Sequence, residues 1–420
     1  MKDRWRIRYQ EVERLLEGER VNILTGFNAN IDLLYGSESL GLDFSSSEAE
    51  LVNPVENISD LKSSLKYCIE KGRNEEVDGE KIHESLEAEP EERIGGQAGI
   101  IANFLSGFNN YIVFHTPLLS KDLADMISEG AVSPVMDGKI LLKRVDEAVN
   151  TDRTKKNTII EFDGANTGRF IVSDSMRGFG PYFRSGVEEN FETLEKELDR
   201  MIMSGYHDIA GNMDTKLQKA QKQLHMLETD KHLEYVAMND EDSRKIFERI
   251  LPEFESVGMD ETEAHQVARF MDIDTGDGLE PGKAVELGRK IINEKNLERV
   301  HIHTYGYHVC VASAGYRISK ERMRDAMIFG EACAIQMADQ GDIPGLEDME
   351  GFDLENTHVH RLDPLEKLEK RFGDKFTQKG VCSDEEIKVA AIPTLIHENP
   401  ERLVGMGDII SSGAYTAELK

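Results

Sequence analysis

The sequence predicts an α/β protein, with a doubly wound core of helices and parallel strands and a smaller lid formed from two insertions. Short apolar runs, such as residues 21–24, alternate along most of the chain with segments of helical length. Residues from about 37 to 93 are highly charged and poor in long apolar runs, which indicates an insertion. Residues 138–172 contain β-branched runs broken by Gly, Asn and Asp, which is typical of a small sheet of hairpins.

The first core unit is a helical N-terminal segment followed by a buried strand that ends at Gly26. A second unit consists of a glycine pair, an apolar helix from Ala98 to Leu105 and a strand at residues 110–117. After about residue 187, helix, strand and loop alternate, and a glycine-rich loop and a helix end the chain. The sequence therefore predicts a large domain over residues 1–33, 95–135 and 187–420, and a lid over residues 34–94 and 136–186.

The charge balance is strongly acidic. Asp and Glu total 80 against 50 Lys and Arg, which gives a net charge of −30. Such a surface repels a phosphate backbone and an anionic membrane, so nucleic-acid and membrane partners are disfavoured. The acid excess recurs in nearly every segment, which favours adaptation to high intracellular salt over an ordinary acidic surface. Any anionic substrate must meet a locally basic pocket.

The cysteines indicate a reducing compartment. The chain has four cysteines, widely spread and without a CxxC pair, which favours free thiols over a disulfide scaffold or a zinc site. The N-terminal segment is charged throughout and lacks the apolar core of a secretory signal. We therefore expect a cytoplasmic protein.

The most specific motif is GMGDIISSGA, residues 405–414. Gly405 and Gly407 allow backbone N–H groups to approach an anion, and the following helix N-terminus adds partial positive charge. Asp408 would repel a phosphate held passively, but it suits a base that removes a proton from an attacking hydroxyl. The alternative is a helix N-cap, for which Asp is also favoured.

Two polar groups predict a sugar site. Asn28, Asn30 and Asp32 alternate just past the first strand, and each can hold a sugar hydroxyl, although an Asx turn explains them equally well. Gly95 and Gly96 precede Gln97 at a helix start, so a ligand can approach the main chain there; a simple turn is the alternative.

A third set of residues concerns a metal and a phosphate. His232 and Glu234 point to one side of a strand, where the carboxylate can hold Mg²⁺, although a solvated strand edge also fits. Lys155 and Arg169 in the lid predict a phosphate pocket opposite the glycine-rich loop. The nearby Arg153 and Lys156 fit a charge-balanced surface better.

Several segments, in this order, resemble the archaeal ADP-dependent sugar kinases, which comprise phosphofructokinases and glucokinases. They are GFNANID, RIGGQAGIIANFLSGF, GRFIVS, HLE, VGMDETE and GMGDIISSGA, and they span roughly residues 20–416. The resemblance implies a ribokinase-like three-layer α/β/α core with a sheet-containing lid, ADP as phosphoryl donor and Mg²⁺ as cofactor. It also implies a role for each matching residue: Asp408 as catalytic base beside the metal, Gly405 and Gly407 as the anion hole, and Glu234 as the metal-linked residue. Sugar-side positions correspond to Asn28, Asn30, Asp32, Gly95, Gly96 and Gln97.

The resemblance also bears on the substrate. Lys155 and Arg169 match cations that hold the 6-phosphate of fructose 6-phosphate, whereas Glu76, or its neighbour Glu75, lies near a Glu that holds glucose in glucokinases. We therefore expect a 6-phosphofructokinase, with a glucokinase or a bifunctional enzyme as the alternative. A non-catalytic sugar-phosphate or nucleotide sensor is the alternative from another class. Some members carry a further Arg after the GRFIV segment, for which Arg177 is a candidate.

Overall fold

The computed structural model describes residues 1–12, 18–45, 47–163, 168–176, 178–276, 278–373 and 375–420. Arg177, a candidate from the sequence, lies outside these ranges. Within them, no helix combines the length and the apolar character needed to cross a lipid bilayer.

The strands, in chain order, are β1 (Asn22–Gly26), β2 (Asn30–Gly36), β3 (Glu75–Asp78), β4 (Glu91–Gly95), β5 (Tyr111–His115), β6 (Val132–Met136), β7 (Ile140–Arg144), β8 (Lys156–Phe162), β9 (Gly168–Ser173), β10 (Arg200–Met203), β11 (Lys231–Glu234), β12 (Ser256–Asp260), β13 (Arg299–His303), β14 (Tyr307–Ser313), β15 (Thr357–Val359), β16 (Val381–Ser383), β17 (Ile387–Pro393) and β18 (Leu395–His397).

The α-helices are α1 (Lys2–Gln10), α2 (Ile58–Lys71), α3 (Gln97–Ser106), α4 (Lys121–Asp125), α5 (Phe191–Glu195), α6 (Met213–Leu224), α7 (Asp240–Arg249), α8 (Glu261–Phe270), α9 (Pro281–Lys295), α10 (Lys320–Gln340), α11 (Leu346–Met349), α12 (Asp363–Phe372), α13 (Phe376–Lys379) and α14 (Met406–Ala417).

Two main sheets organise the molecule, which confirms the predicted α/β class, and β15 and β18 form a separate two-stranded sheet. The large sheet has the order β16-β17-β14-β13-β12-β11-β10-β1-β5-β6-β7. Its middle strands, from β13 across to β6, run parallel, and antiparallel strands extend it at both ends. The small sheet has the order β3-β9-β8-β2-β4. Because the carboxyl ends of parallel strands share one edge of a sheet, polar residues that follow β1, β10, β11 and β12 gather there.

Helices cover both faces of the large sheet, as the pairing of β13 with β14 demonstrates. Arg299 lies opposite Ala312 and His303 opposite His308, so these residues share one face, and Arg299 binds Glu418 just past α14. Val311 points the other way and lies directly under Gly288 of α9. Helices α14 and α9 therefore pack on opposite faces, which gives a three-layer α/β/α core.

The two sheets divide the chain at slightly different points from those predicted. Strand β2 begins at Asn30, so residues 30–33 lie in the small sheet and not in the large domain. Strand β7, predicted in the lid, pairs with β6 and extends the edge of the large sheet. A lid hairpin explains the apolar residues of β7 equally well, because the residues of a strand do not specify which strand it pairs with.

Candidate active site

The chain crosses between the large and the small sheet four times, and two of these crossings lie side by side. Residues 27–29 connect β1 to β2, and Gly96 connects β4 to α3. The Ala98 N–H donates to the Asn28 carbonyl over 3.0 Å and joins the two crossings. Gly96 has a φ of +72°, and a Cβ there would lie 2.8 Å from the Ala29 Cα, so only glycine fits. The predicted turn at Gly95 and Gly96 is thus a contact between two crossing segments.

Asn30 and Asp32 lie directly over Gly95. The Asn30 amide donates to the Asp32 carboxylate over 2.6 Å, and a Cβ on Gly95 would lie 2.4 Å from both side chains. Both side chains are buried at the cleft face of the small sheet. Burial raises the pKa of Asp32 to about 6, although the Asn30 amide and the charge of Lys155 oppose the shift. The pair is a polar cluster that can accept and donate to ligand hydroxyls.

Asn28 belongs to the opposite side of the same crossing. Its Oδ1 accepts a hydrogen bond of 2.6 Å from Ser204, which follows β10, and it also bonds the Asp208 carboxylate. Asn28 is 3% exposed. This side chain therefore joins the small-sheet crossing to the edge of the large sheet.

The glycine-rich loop forms the N-terminus of α14. Gly405 adopts a φ of +86° and Met406 is the first helical residue. The first N–H groups of a helix have no intrahelical partner, so those of Gly407 and Asp408 are available to an anion, as the sequence predicts. His303 at the end of β13 lies against this turn, 3.0 Å from where a Cβ of Gly407 would be.

Asp408 is the first acidic residue of α14 and faces the cleft between the sheets. Burial and the charge of Glu234 raise the pKa of Asp408 to about 8, against a hydrogen bond from Gln97 and the positive charge of Arg402. Gln97 begins α3 beside the Gly95–Gly96 crossing. Asp408, Gln97 and the Asn30–Asp32 pair therefore share one site, although they are far apart in sequence.

Glu234 ends β11 and is buried beneath α14. Its Oε1 lies 3.0 Å from His232 Nε2, and it bonds Ser411 of α14. Burial raises the pKa of Glu234 to about 7. Gly258 on the neighbouring strand makes room for this group, because a Cβ there would lie 2.1 Å from the Ser411 hydroxyl. The predicted His232–Glu234 juxtaposition on one side of a strand is present.

His232 is held by a buried hydrogen-bond chain. Glu418, just past the end of α14, accepts from Arg299 over 2.8 Å, and Arg299 donates to Ser256 over 3.1 Å. The Ser256 hydroxyl lies 2.8 Å from His232 Nδ1. Burial lowers the pKa of His232 well below its ordinary value, so the ring is neutral. The contacts of Ser256 and His232 are consistent when Ser256 donates to Nδ1 and the Nε2–H donates to Glu234.

The carboxylates around Glu234 suit a hard cation that is shared with a ligand. Glu234 raises the pKa of both Asp408 and Glu263 through charge repulsion, after burial. The described residues give Glu234 no Lys or Arg salt-bridge partner. They also contain no group of three or more His, Cys, Asp or Glu able to hold a metal ion by itself. Oxygen donors of this kind fit Mg²⁺ that also binds phosphate oxygens and water.

A cavity of about 380 Å³, which we call the Lys155 cavity, lies on the cleft side of the small sheet near its β1 crossing. Lys155 is 12% exposed and donates to Asp208 over 2.8 Å. Burial raises the pKa of Asp208, but the charges of Lys155 and His207 outweigh burial and hold this pKa below its ordinary value. Glu76 enters the same cavity and accepts from Ser173, whereas Glu75 does not line it.

Arg169 lies elsewhere. In the β8–β9 hairpin Arg169 is opposite Glu161, whereas Lys155 precedes the first residue of β8. Six residues of strand separate the two positions, which is about 20 Å. Arg169 lines a separate cavity of about 540 Å³, the Arg169 cavity, together with Asp32 and Arg402. The structure therefore does not bring Lys155 and Arg169 together in the common phosphate pocket that the sequence predicts. The two positions lie on the same side of the sheet but far apart along its strands.

A third cavity, of about 580 Å³, adjoins the glycine-rich loop on the large domain, and we call it the His397 cavity. Its lining is mainly apolar and includes His303, Leu395, His397 and Met406. It offers a recess for a flat, mostly apolar group beside the N–H groups of α14.

Arg402 is a site residue that the sequence analysis missed. It precedes Gly405 by three residues, is 7% exposed and lines the Arg169 cavity beside Asp32. The available signal was a cation close to the glycine-rich motif in a chain of net charge −30.

Comparison with known proteins identifies relatives over nearly the whole chain. The family model for the ADP-specific phosphofructokinase/glucokinase conserved region matches residues 21–417. An ADP-specific phosphofructokinase from Pyrococcus horikoshii is 29% identical over 453 residues, covering 96% of this chain and 98% of that protein. An ADP-dependent glucose/glucosamine kinase from Pyrococcus furiosus is 26% identical over 433 residues, covering 94% of each.

Solved structures of ADP-dependent kinases are also similar to this chain. An ADP-dependent kinase in complex with fructose 6-phosphate and ADPβS has a TM-score of 0.82 and 26% identity, covering 100% of this chain and 97% of that one. The ADP-dependent phosphofructokinase structure from Pyrococcus horikoshii has a TM-score of 0.80 and 27% identity, covering 96% and 98%.

Proposed function

The chain belongs to the ADP-specific phosphofructokinase/glucokinase family and is thus an ADP-dependent sugar kinase, and from this premise we propose that it phosphorylates fructose 6-phosphate to fructose 1,6-bisphosphate. The observation that carries the proposal is the convergence of Asp408, the N-terminus of α14 and the Asn30–Asp32 pair at one cleft. A base, an anion site and a hydroxyl-binding pair are the three parts that phosphoryl transfer to a sugar requires.

In the proposed reaction, the sugar hydroxyl loses its proton to Asp408 as its oxygen bonds to the β-phosphorus of ADP. The bond between this phosphorus and the oxygen bridging to the α-phosphorus breaks, and its electron pair leaves with AMP. The N–H groups of Gly407 and Asp408 stabilise the charge on the transferred phosphoryl group. A pKa of about 8 in the free enzyme makes Asp408 a stronger base than an ordinary carboxylate once it is ionised.

We assign the metal-linked role to Glu234, with Asp408 facing the same charge. Bound Mg²⁺ supplies charge neutralisation for the phosphate oxygens. The chain through Arg299, Ser256 and His232 orients Glu234 for that purpose. The mainly apolar His397 cavity suits the adenine of ADP, since it adjoins the helix N-terminus that accepts phosphate.

We assign the sugar to the cleft face of the small sheet. Asn28, Asn30 and Asp32, with the main chain at Gly95 and Gly96, hold hydroxyls, and Gln97 orients the base. Lys155 is 12% exposed, lines the same cavity as Asn28 and acts electrostatically on Asp32, so it is the residue to which we assign the 6-phosphate. We propose a phosphate-binding role for Arg169 separately, because Arg169 lines a different cavity from Lys155.

Glucose is a second candidate acceptor. Four carboxylates, Glu76, Asp78, Asp174 and Asp208, line the Lys155 cavity against a single lysine, which is already paired with Asp208. An uncharged sugar meets less repulsion in such a cavity than a sugar phosphate does. Glu76, bonded to Ser173 and facing Lys155, can accept from a sugar hydroxyl.

A coupled assay with Mg²⁺ tests the proposal by offering ADP or ATP with fructose 6-phosphate or glucose. Turnover of fructose 6-phosphate with ADP alone supports the phosphofructokinase. Faster turnover of glucose supports Glu76 as the selecting residue and contradicts the substrate assignment. Binding of ADP and sugar without turnover would instead identify a sensor.

A further inference from the structure

Arg402 is a buried cation between the two carboxylates of the active site. It lies in the loop that leads into Gly405 and is 7% exposed. Its positive charge acts on both Asp32 and Asp408, which belong to the small sheet and to α14 respectively. Arg402 is therefore central to the cleft, where the sugar and the nucleotide meet in the proposed reaction.

The contacts of Arg402 leave part of its guanidinium without a partner. Nε donates to the Val404 carbonyl over 3.1 Å, which turns the side chain back along its own loop. Among the described residues, none of the salt bridges includes Arg402, and Nη1 and Nη2 form no hydrogen bond within this set. The neighbouring Arg93 is different, because Glu91 lies 2.5 Å from its Nε.

A buried guanidinium in this situation favours an incoming anion. Burial and the charge of Arg93 lower the pKa of Arg402, whereas Asp32, Asp342 and Glu91 raise it without bonding to it. Its charge is thus only partly compensated in the free protein. A planar group with two free N–H edges matches the non-bridging oxygens of a phosphoryl group.

We propose that Arg402 binds the terminal phosphoryl group of the nucleoside diphosphate and follows it during transfer to the sugar. The inference rests on the proposed kinase function and adds a cation supplied from the loop before Gly405 to the backbone anion site. The phosphate of the sugar is the other source of the same chemistry. The position of Arg402 beside Asp408 favours the nucleotide, because Lys155 and not Arg402 lines the cavity assigned to the sugar phosphate.

Calorimetric binding with Mg²⁺ present separates these sources. We compare the wild type, Arg402→Gln and Arg402→Lys for binding of ADP, AMP and fructose 6-phosphate. Arg402→Gln should weaken ADP binding roughly 10- to 100-fold and leave AMP binding within about twofold, because AMP lacks the contacted group. Arg402→Lys should restore part of the loss, since it keeps the charge but not the planar fork.

Arg322→Gln is the matched control. Arg322 is a half-buried arginine that donates to the Ala417 carbonyl at the far end of α14, away from the cleft. If loosening of α14 caused the loss, this variant would weaken ADP binding equally, and the inference would be overturned. Weaker binding of fructose 6-phosphate with unchanged ADP binding would overturn the assignment to the donor. A wild type that binds neither ligand would refute the proposed function, whereas equal ADP binding by the wild type and Arg402→Gln would refute the role of Arg402 alone.

Discussion

Asp408, which is partly exposed, and Glu234, which is buried, are neighbouring carboxyl groups whose ionisation is disfavoured. Removal from water is the larger cause for both, and repulsion from Glu234 is the next cause for Asp408, so the pKa values of about 8 and about 7 are well above those of free carboxyls. Among the described residues, neither carboxylate forms a salt bridge with a Lys or an Arg, so the pair suits a bound cation that also contacts phosphate.

Replacing Asp408 with Asn should remove the base while preserving the shape of the site. We expect kcat to fall by about 10²- to 10⁴-fold, because general-base catalysis contributes that much. The melting temperature should not fall, since the neutral amide relieves repulsion with Glu234. The measurement is kcat and thermal unfolding side by side. Turnover within about tenfold of the wild type would rule out Asp408 as the base.

The raised carboxyl pKa values also predict how stability depends on pH. Between roughly pH 5 and pH 8 the folded protein keeps protons on Asp408 and Glu234 that the unfolded chain has lost, so the free energy of unfolding falls as pH rises. Urea unfolding at several pH values without nucleotide or metal measures the slope. Asp408→Asn should flatten it, and an unchanged slope in this variant would contradict the assignment.

Lys155 and Arg169 allow a paired test of the phosphate site. Lys155→Met should raise the KM for fructose 6-phosphate roughly 10- to 100-fold, because a charge-assisted contact is lost, and should change the KM for glucose much less. Arg169→Met, in its separate cavity, serves as the matched variant. Steady-state kinetics with both sugars decide the matter. An equal effect of Lys155→Met on both sugars would exclude a phosphate contact.

At the residue scale, the sequence predicts residues that belong to one local motif better than residues that several distant segments bring together. Gly405, Gly407, Asp408, and the His232–Glu234 pair were predictable because each depends on local spacing at a strand or helix end. Arg402 was missed because a single arginine in a polar loop has no such pattern. Its significance depends on Asp32, which is 370 positions earlier and reaches the cleft only through the β2 crossing.

At the scale of elements, α14 is anchored at both ends. Its N-terminus carries the glycine-rich turn, and Glu418 beyond its C-terminus accepts from Arg299 over 2.8 Å and from Tyr316 over 2.6 Å. Arg200 lies 3.4 Å from the same carboxylate and stacks 3.9 Å over the Tyr415 ring. The helix that supplies the base is thus fixed to β10 and β13 of the large sheet.

Glu418→Gln should therefore destabilise the protein strongly. The change leaves two buried guanidinium groups without a negative partner, which costs about 3–5 kcal/mol. Glu192→Gln is the control, because Glu192 forms an exposed pair with Lys196 over 2.9 Å and should contribute far less to stability. Denaturant unfolding gives both values. Similar losses in the two variants would mean that the buried network does not anchor α14.

The same scale explains which elements the sequence could assign. The strand before Gly26 and the helix after Gly96 were predictable, because long apolar runs and glycine punctuation fix their type. The partners of β2 and β7 were not, since a strand's own residues do not specify which neighbour it pairs with. The boundary of the small sheet therefore moved by a few residues, and one hairpin changed sheets.

At the scale of the molecule, the most prominent feature is the acidic surface charge. A net charge of −30 on a folded chain creates self-repulsion that salt screens. The predicted α/β architecture with a second sheet follows from the alternation of elements and is independent of this charge. The Arg169 cavity, by contrast, brings Arg93, Arg169 and Arg402 together.

Raising KCl should therefore raise the melting temperature. At 1 M salt the screening length is only about 3 Å, so simple relief of repulsion should be complete near that concentration. Continued stabilisation between about 1 M and 3 M KCl is expected if the carboxylate surface is adapted to high salt. Thermal unfolding across this range distinguishes the two cases. A plateau at low salt would identify an ordinary acidic protein.

The small sheet forms an arm that four crossings join to the large sheet, and a rotation with the β1–β2 and β4–α3 crossings as its fulcrum would move the far end of the arm most. Lys155 is next to the fulcrum, because its carbonyl accepts from Ile31 over 3.0 Å. Arg169 is near the far tip, about 20 Å along the same arm, so a 10° swing displaces it by about 3 Å and hardly displaces Lys155. Under such a rotation Lys155 would keep its position relative to the crossings, whereas Arg169 would approach or leave the opposite wall of its cavity.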